Sequence, residues 1–255
     1  MLPDDAFLRT IPDITDPATA VHIDAVVFSG DTIFANFNAM RQTGLRFKEH
    51  LPRADRLVKV GMFTHAWTIV DCVHVIRQNI RALAYDTPLA SQYLTRYESA
   101  TLLRNKMDHL AQNAQNTARI KKRPPIFGSL TYICIPDDKI TEQNGRQVVI
   151  GGGMVVLTTG RIADFKQVGT ESAAGVELNR QVGRFRLDAF DQQLDLDAAA
   201  EDTEAVLLEM DNLIKKQMHE MAEQEAAKLN KSKEDLLKHS GAGLSLYLAF
   251  DVKEE

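Results

Sequence analysis

A chain of 255 residues with 44% hydrophobic and 25% charged side chains has the composition of an ordinary soluble globular protein, and is long enough to bury a full core. Its formal net charge of -5 argues against a nonspecific nucleic-acid coat protein, although a locally basic cleft stays compatible with it, because the field at a site depends on where charges sit. Two cysteines, Cys72 and Cys134, lie too far apart for a disulfide framework or a CxxC metal knuckle, so a reducing, cytoplasmic setting is expected.

The opening stretch, 1–17, holds Pro3, Pro12 and Pro17 among several aspartates and reads as an N-terminal arm. It has no basic region followed by an apolar run, and no segment approaches the roughly 18 apolar residues of a spanning helix, so neither secretion nor membrane insertion is expected. From about 19 to 47, Val26, Val27, Ile33, Phe34, Phe37, Met40 and Leu45 recur at helical spacing, with Gly30 and Gly44 weakening the ends. Pro52 breaks the chain. A second helix, about 54–84, is apolar nearly all round between Met62 and Ile76, which suits the centre of a bundle. A third is expected as one long rod over about 89–118, with Thr87 as cap and Pro88 at its first position.

Beyond Pro124 and Pro125 the spacing becomes that of strands: Leu130, Tyr132 and Cys134, then Val148 and Ile150. Asn144-Gly145 signals a hairpin, with a loop longer than two residues around it. Gly151 to Gly153 lead into a strand at 154–157, where they suggest a bulge rather than a phosphate loop. Weaker strands are expected at 176–178 and 184–187. A last helix, about 198–229, shows Val206, Leu207, Met210, Leu213, Ile214, Gln217, Met218 and Met221 on one face, followed by a tail. The expected fold is α+β and predominantly α, an antiparallel helical bundle with an inserted small antiparallel β-sheet. Its parts are the arm (1–17), a helical bundle (18–120), a sheet module (121–197), a helix returning to the bundle (198–230) and a tail (231–255).

The chemistry concentrates in Arg104-Asn105-Lys106-Met107-Asp108-His109, an RNxxxH hexapeptide within the third helix. A permanent cation, an amide and a group titrating near neutrality are the parts that phosphodiester cleavage can use without a metal. Asn105 and His109, four apart, share a helix face, whereas Arg104 lies about 140° around the helix from His109 and would have to swing its side chain toward it. Glu98, Asn105, His109, Gln112 and Asn116 form a polar strip beside the apolar stripe of Leu103, Met107 and Leu110. The bland alternative is an ordinary surface ion pair between Arg104 and Asp108. Asp71 and His74, embedded in an apolar helix, either stand behind Arg104 or His109 or satisfy each other locally. His65, Asp71, Cys72 and His74 do not share one face as metal ligands would, and no metal or other cofactor is expected. Trp67 and the methionines of the last helix read as core.

The RNxxxH hexapeptide on a helix following a central apolar helix resembles the HEPN superfamily, whose members are compact helical bundles that often dimerise so that two such motifs face each other. The resemblance covers about 18–120. It implies a metal-independent endoribonuclease acting on single-stranded RNA at a dimer cleft. Many relatives are inactive and serve as RNA-binding, protein-binding or dimerisation modules. Carried onto this sequence, it makes Arg104, Asn105 and His109 catalytic, with Asp71, His74, Glu98 and Asp108 supporting them. His109 would exchange a proton with the ribose 2′-hydroxyl or the leaving oxygen, Arg104 would stabilise charge on the phosphate, and Asn105 would orient the phosphate or the imidazole. Arg119, Lys121, Lys122 and Arg123, just beyond the motif, could steer RNA or could simply complement a helix end. The expected partners are RNA, a second copy of the chain or another protein, and not a membrane. The sheet lies outside the resemblance.

Overall fold

The computed structural model describes residues 1–47, 56–112, 125, 127–135, 140–143, 146–149, 152–159 and 182–239. Helices α1 (Pro17–Phe47) and α2 (Arg56–Ala82) form an antiparallel hairpin. Its register is marked by two pairs, His22 Nδ1 with Asn79 Oδ1 and Asn36 Oδ1 with His65 Nδ1, each at 2.7 Å. The central position expected for α2 is visible in its burial: Met62, Ala66, Ile69, Val70, Val73, Ile76 and Ile80 are fully enclosed. Gly30 and Gly44 do not weaken α1. A Cβ on Gly30 would meet Leu207 at 2.5 Å and one on Gly44 would meet Val182 at 2.8 Å, so both mark places where other elements press against the helix backbone.

By length and composition α1 is the one described helix apolar enough to cross a membrane, at a mean hydropathy of 1.2 over Pro17–Leu45. This departs from the expectation that no such segment exists. In the fold the helix is one arm of the hairpin and carries polar contacts along its length, including a bidentate Arg9–Asp31 pair at 2.7 and 2.8 Å. The N-terminal arm is likewise more than a lead-in. It forms a short 3-10 turn (Phe7–Arg9) and buries Leu2 and Leu8 in the common core.

The long rod expected over 89–118 is interrupted twice. Helix α3 (Pro88–Arg96) gives way at Tyr97 to α4 (Glu98–Asp108), which ends at His109 before helical geometry resumes at 110–112. The first break has an identifiable cause. In an uninterrupted helix the carbonyl of Leu94 would accept from the amide of Glu98. Instead it accepts from Nη2 and Nε of Arg77, at 2.8 and 3.2 Å. Arg77 is 2% exposed and also bonds Thr101 through Nη1. A guanidinium entering from α2 thus replaces a rung of the helix, the kind of insertion that kinks helices.

The long helix α5 (Leu196–Leu229) ties these pieces together. Thr203 meets the hydroxyl of Tyr93, Asp202 accepts from Tyr97 and Arg96, Glu209 accepts from Tyr85 and Thr87, and Asp211 accepts from the amide of Leu8. A short helix α6 (Lys233–Leu236) folds back after it.

The strands are β1 (Ser129–Cys134), β2 (Ile140–Gln143), β3 (Arg146–Val149), β4 (Gly153–Thr158), β5 (Val182–Ala189) and β6 (Gln192–Asp195). They make a four-stranded antiparallel sheet in the order β4-β1-β5-β6 and a separate β2-β3 ribbon. Gln143 pairs with Arg146, so only Asn144-Gly145 lies between the ribbon strands and the connection is shorter than expected. The strand expected at 176–178 falls outside the described residues. Leu130, Tyr132, Phe185 and Leu187 of the sheet share one core with the helices. The fold class is therefore α+β, predominantly α.

Asp197, in the first turn of α5, accepts the amides of Arg184 at 3.0 Å and Phe185 at 2.5 Å, where Arg184 takes a positive φ of 55° and the β1-β5 register shifts. Burial drives its carboxyl from an ordinary 3.8 up to about 6, the two amides opposing that rise. The folded protein therefore holds a proton that the unfolded chain releases between those values, and this group's contribution to stability falls as pH rises from 3.8 to about 6. Thermal unfolding of Asp197→Asn across that window should show a flatter loss of stability than the wild type. Replacing Arg77 with Met should cost on the order of 3 kcal/mol in denaturant unfolding, because the carbonyl of Leu94 and the hydroxyl of Thr101 lose their buried donor.

Candidate functional site

The kink at Tyr97 lays α4 alongside α2, and this decides where the hexapeptide points. The guanidinium of Arg104 leans onto α2, with Nε 3.4 Å from Asp71 Oδ1, and reaches along its own helix to place Nη1 3.5 Å from Asp108 Oδ2. Among the described residues one cation faces two carboxylates. The Asp71 and Asp108 side chains are 59% and 51% exposed, so each pair is worth under about 1 kcal/mol and is open to exchange with other charged groups. Burial nonetheless raises the pKa of Asp71; Arg104 opposes the rise and Asp108 adds to it.

Asn105 and His109 are both exposed. His109 closes α4 in a non-helical conformation (φ -101°, ψ 20°), with its backbone amide donating to the carbonyls of Asn105 and Met107. Among the described residues its imidazole has no hydrogen-bond or ion-pair partner, and nothing links it to Arg104. The structure brings Arg104 together with Asp71 and Asp108, and leaves Asn105 and His109 on the open side of the helix. Lys106, between them, donates to the carbonyl of Phe190 at 2.7 Å. That carbonyl sits in the two-residue turn between β5 and β6, where Phe190 and Asp191 both have positive φ, so the hexapeptide also fastens the sheet to the bundle.

Asp71 and His74 do not satisfy each other as a local pair. Nδ1 of the buried His74 lies 3.0 Å from Thr101 Oγ1, the same hydroxyl that Arg77 meets. Burial, then the charges of Arg104 and Arg77, lower the pKa of His74. Glu98 opens α4, roughly 16 Å along the helix from His109 at ~1.5 Å per residue, too far to serve the same site. Arg119, Lys121, Lys122 and Arg123 fall outside the described residues. Among the described residues no three His, Cys, Asp or Glu side chains gather as a metal site would require.

On the Arg104 side of α4 a cleft of about 750 Å³ opens between α2, α4 and the end of the sheet. Asp71, Met107 and Asp108 line it, while Arg104, Asn105 and His109 do not. Its wall includes Trp67, which packs against the core on one side while its half-buried indole donates to the carbonyl of Phe127 at 3.1 Å and meets Phe190 edge-on. Sequence reasoning passed over this cleft, along with Arg77 and Lys106. The available signal was the spacing of Asp71, His74 and Arg77, three ionisable residues each three apart, with only apolar residues between them.

Compared with protein-family models, characterised proteins and solved structures, the chain matches none.

Removing the Arg104 charge should let the His74 imidazole titrate at higher pH. An NMR titration of the Arg104→Ala protein should show the His74 midpoint moving up toward the ordinary histidine range, with a global stability change under about 1 kcal/mol. An unmoved midpoint would separate the two residues electrostatically.

Proposed function

We propose that this chain is a catalytically silent, HEPN-like binding module that recognises a protein partner, with the hexapeptide holding its helices and sheet in place. The observation that carries this reading is the setting of Arg104. A phosphodiester approaching the guanidinium meets two carboxylates, Asp71 and Asp108, so that the local charge opposes the ligand the arginine would have to hold. The imidazole that would move protons makes no contact with Arg104 and does not line the cleft that Asp71 and Asp108 line. Lys106 is committed to the β5-β6 turn and adds no free cation. What supports binding as the role is the open, largely apolar cleft beside these groups.

A second reading, RNA cleavage by two copies acting together, draws on the exposure of Asn105, His109 and the 41% exposed Leu102 on one side of α4, where a second chain could bring its own arginine to this histidine.

The experiment that separates the two is incubation of the purified chain with single-stranded RNA in chelator, beside an Arg104→Ala, His109→Ala double variant. The silent-module reading expects the same background from both proteins and no 2′,3′-cyclic phosphate ends. Cyclic-phosphate ends that vanish in the double variant would overturn it in favour of the two-copy nuclease.

A further inference from the structure

The cleft is long and electrically two-ended. Arg56 and Lys59, both in the first turn of α2, stand at one end, where no acidic residue of that turn offsets them. Asp71 and Asp108 stand at the other, sharing, among the described residues, the one cation of Arg104. At ~1.5 Å per residue along α2, the two ends are roughly 18 to 22 Å apart. Between them the walls are mainly apolar and aromatic, supplied by Phe63, Trp67, Met107 and Phe127, the last 43% exposed, with Thr64, Thr158 and Thr159 among them. A ligand that fills this space must offer an apolar strip some 20 Å long, an anionic group at the Arg56 end and a cationic group at the Asp71 end.

We infer that the cleft is a docking groove for an amphipathic peptide helix of a protein partner, about 12 to 15 residues long, lying antiparallel to α2. The inference rests on the reading of the chain as a binding module and names the partner's chemistry. Orientation follows from charge. The N-terminus of a helix carries partial positive charge and its C-terminus partial negative charge. A helix with basic residues at its start and acidic residues at its end therefore places its positive end at Asp71 and Asp108 and its negative end at Arg56 and Lys59. Its dipole then also opposes that of α2. Leucine or methionine side chains at i, i+3, i+4 and i+7 would lie against Trp67 and Phe63. A nucleic acid would place phosphates along the whole groove, against the carboxylates at one end of it.

Trp67 is the only tryptophan of the chain, so its emission reports on this groove. The probes are two tryptophan-free peptides of about fourteen residues with the same composition and the same leucine face. One begins with lysines and ends with glutamates; in the other these ends are exchanged. The lysine-first peptide should shift the Trp67 emission to saturation and bind at least roughly tenfold tighter than its reversed partner, by titration. In an Arg56→Glu, Lys59→Glu variant with unchanged far-UV circular dichroism, that preference should disappear. Equal binding of the two peptides, no emission change with either, or a larger shift with a single-stranded RNA oligomer at the same concentration would each overturn the proposal. A failure here leaves the RNA-cleavage assay as it was, and RNA cleavage by the wild type would overturn the silent-module reading whichever way the emission moves.

Discussion

The arrangement depends on one buried guanidinium. Arg77 enters the third helical segment from α2 and occupies the carbonyl of Leu94, and the helix can no longer run straight. It becomes α3, which packs Tyr93 on α5, and α4, which lies along α2. Burying an arginine this deeply lowers its pKa, chiefly by desolvation, and its hydrogen bonds to Leu94 and Thr101 offset that cost. Without the bend, Arg104 would not face Asp71, Lys106 would not reach the β5-β6 turn, and the cleft between α2, α4 and the sheet would not form.

The hexapeptide makes two separable joins. Arg104 joins α4 to α2 through weak, exposed ion pairs. Lys106 joins α4 to the sheet through the carbonyl of a strained turn, in which a bulky phenylalanine is held at positive φ. Among the described residues the side chains of Asn105 and His109 meet no partner on the outer side. Residue types that suit phosphodiester chemistry can also suit assembly, and only their directions distinguish the two uses.

Much of the fold was legible in the residues. The apolar periodicity of α1, α2 and α5, the cap at Thr87-Pro88 and the period-two run of β1 follow from side-chain spacing, which local sequence displays directly. The breaks at Tyr97 and His109 were not legible, because the third segment is helical by every local criterion and bends only through a side chain arriving from α2. Gly30 and Gly44 looked like weak points for the same reason, since their meaning lies in Leu207 and Val182, distant in sequence. For the site, the 140° separation of Arg104 from His109 was visible as a number. Which way the arginine would swing was decided by Asp71 on a neighbouring helix. The cleft, formed by parts of α2, α4 and the sheet, has no sequence signature of its own.

The central claim is that Arg104 is engaged within the chain and does not share a ligand with His109. The most direct measurement is NMR of the Arg104 Nε–Hε group and the His109 ring during titration with a non-cleavable 2′-deoxy or 2′-methoxy dinucleotide. The account predicts that neither signal shifts in a saturable way and that the Arg104 resonance responds instead to Asp71→Asn. Concerted, saturable shifts of both groups at one dissociation constant would contradict it, because they would place a phosphate between the two side chains.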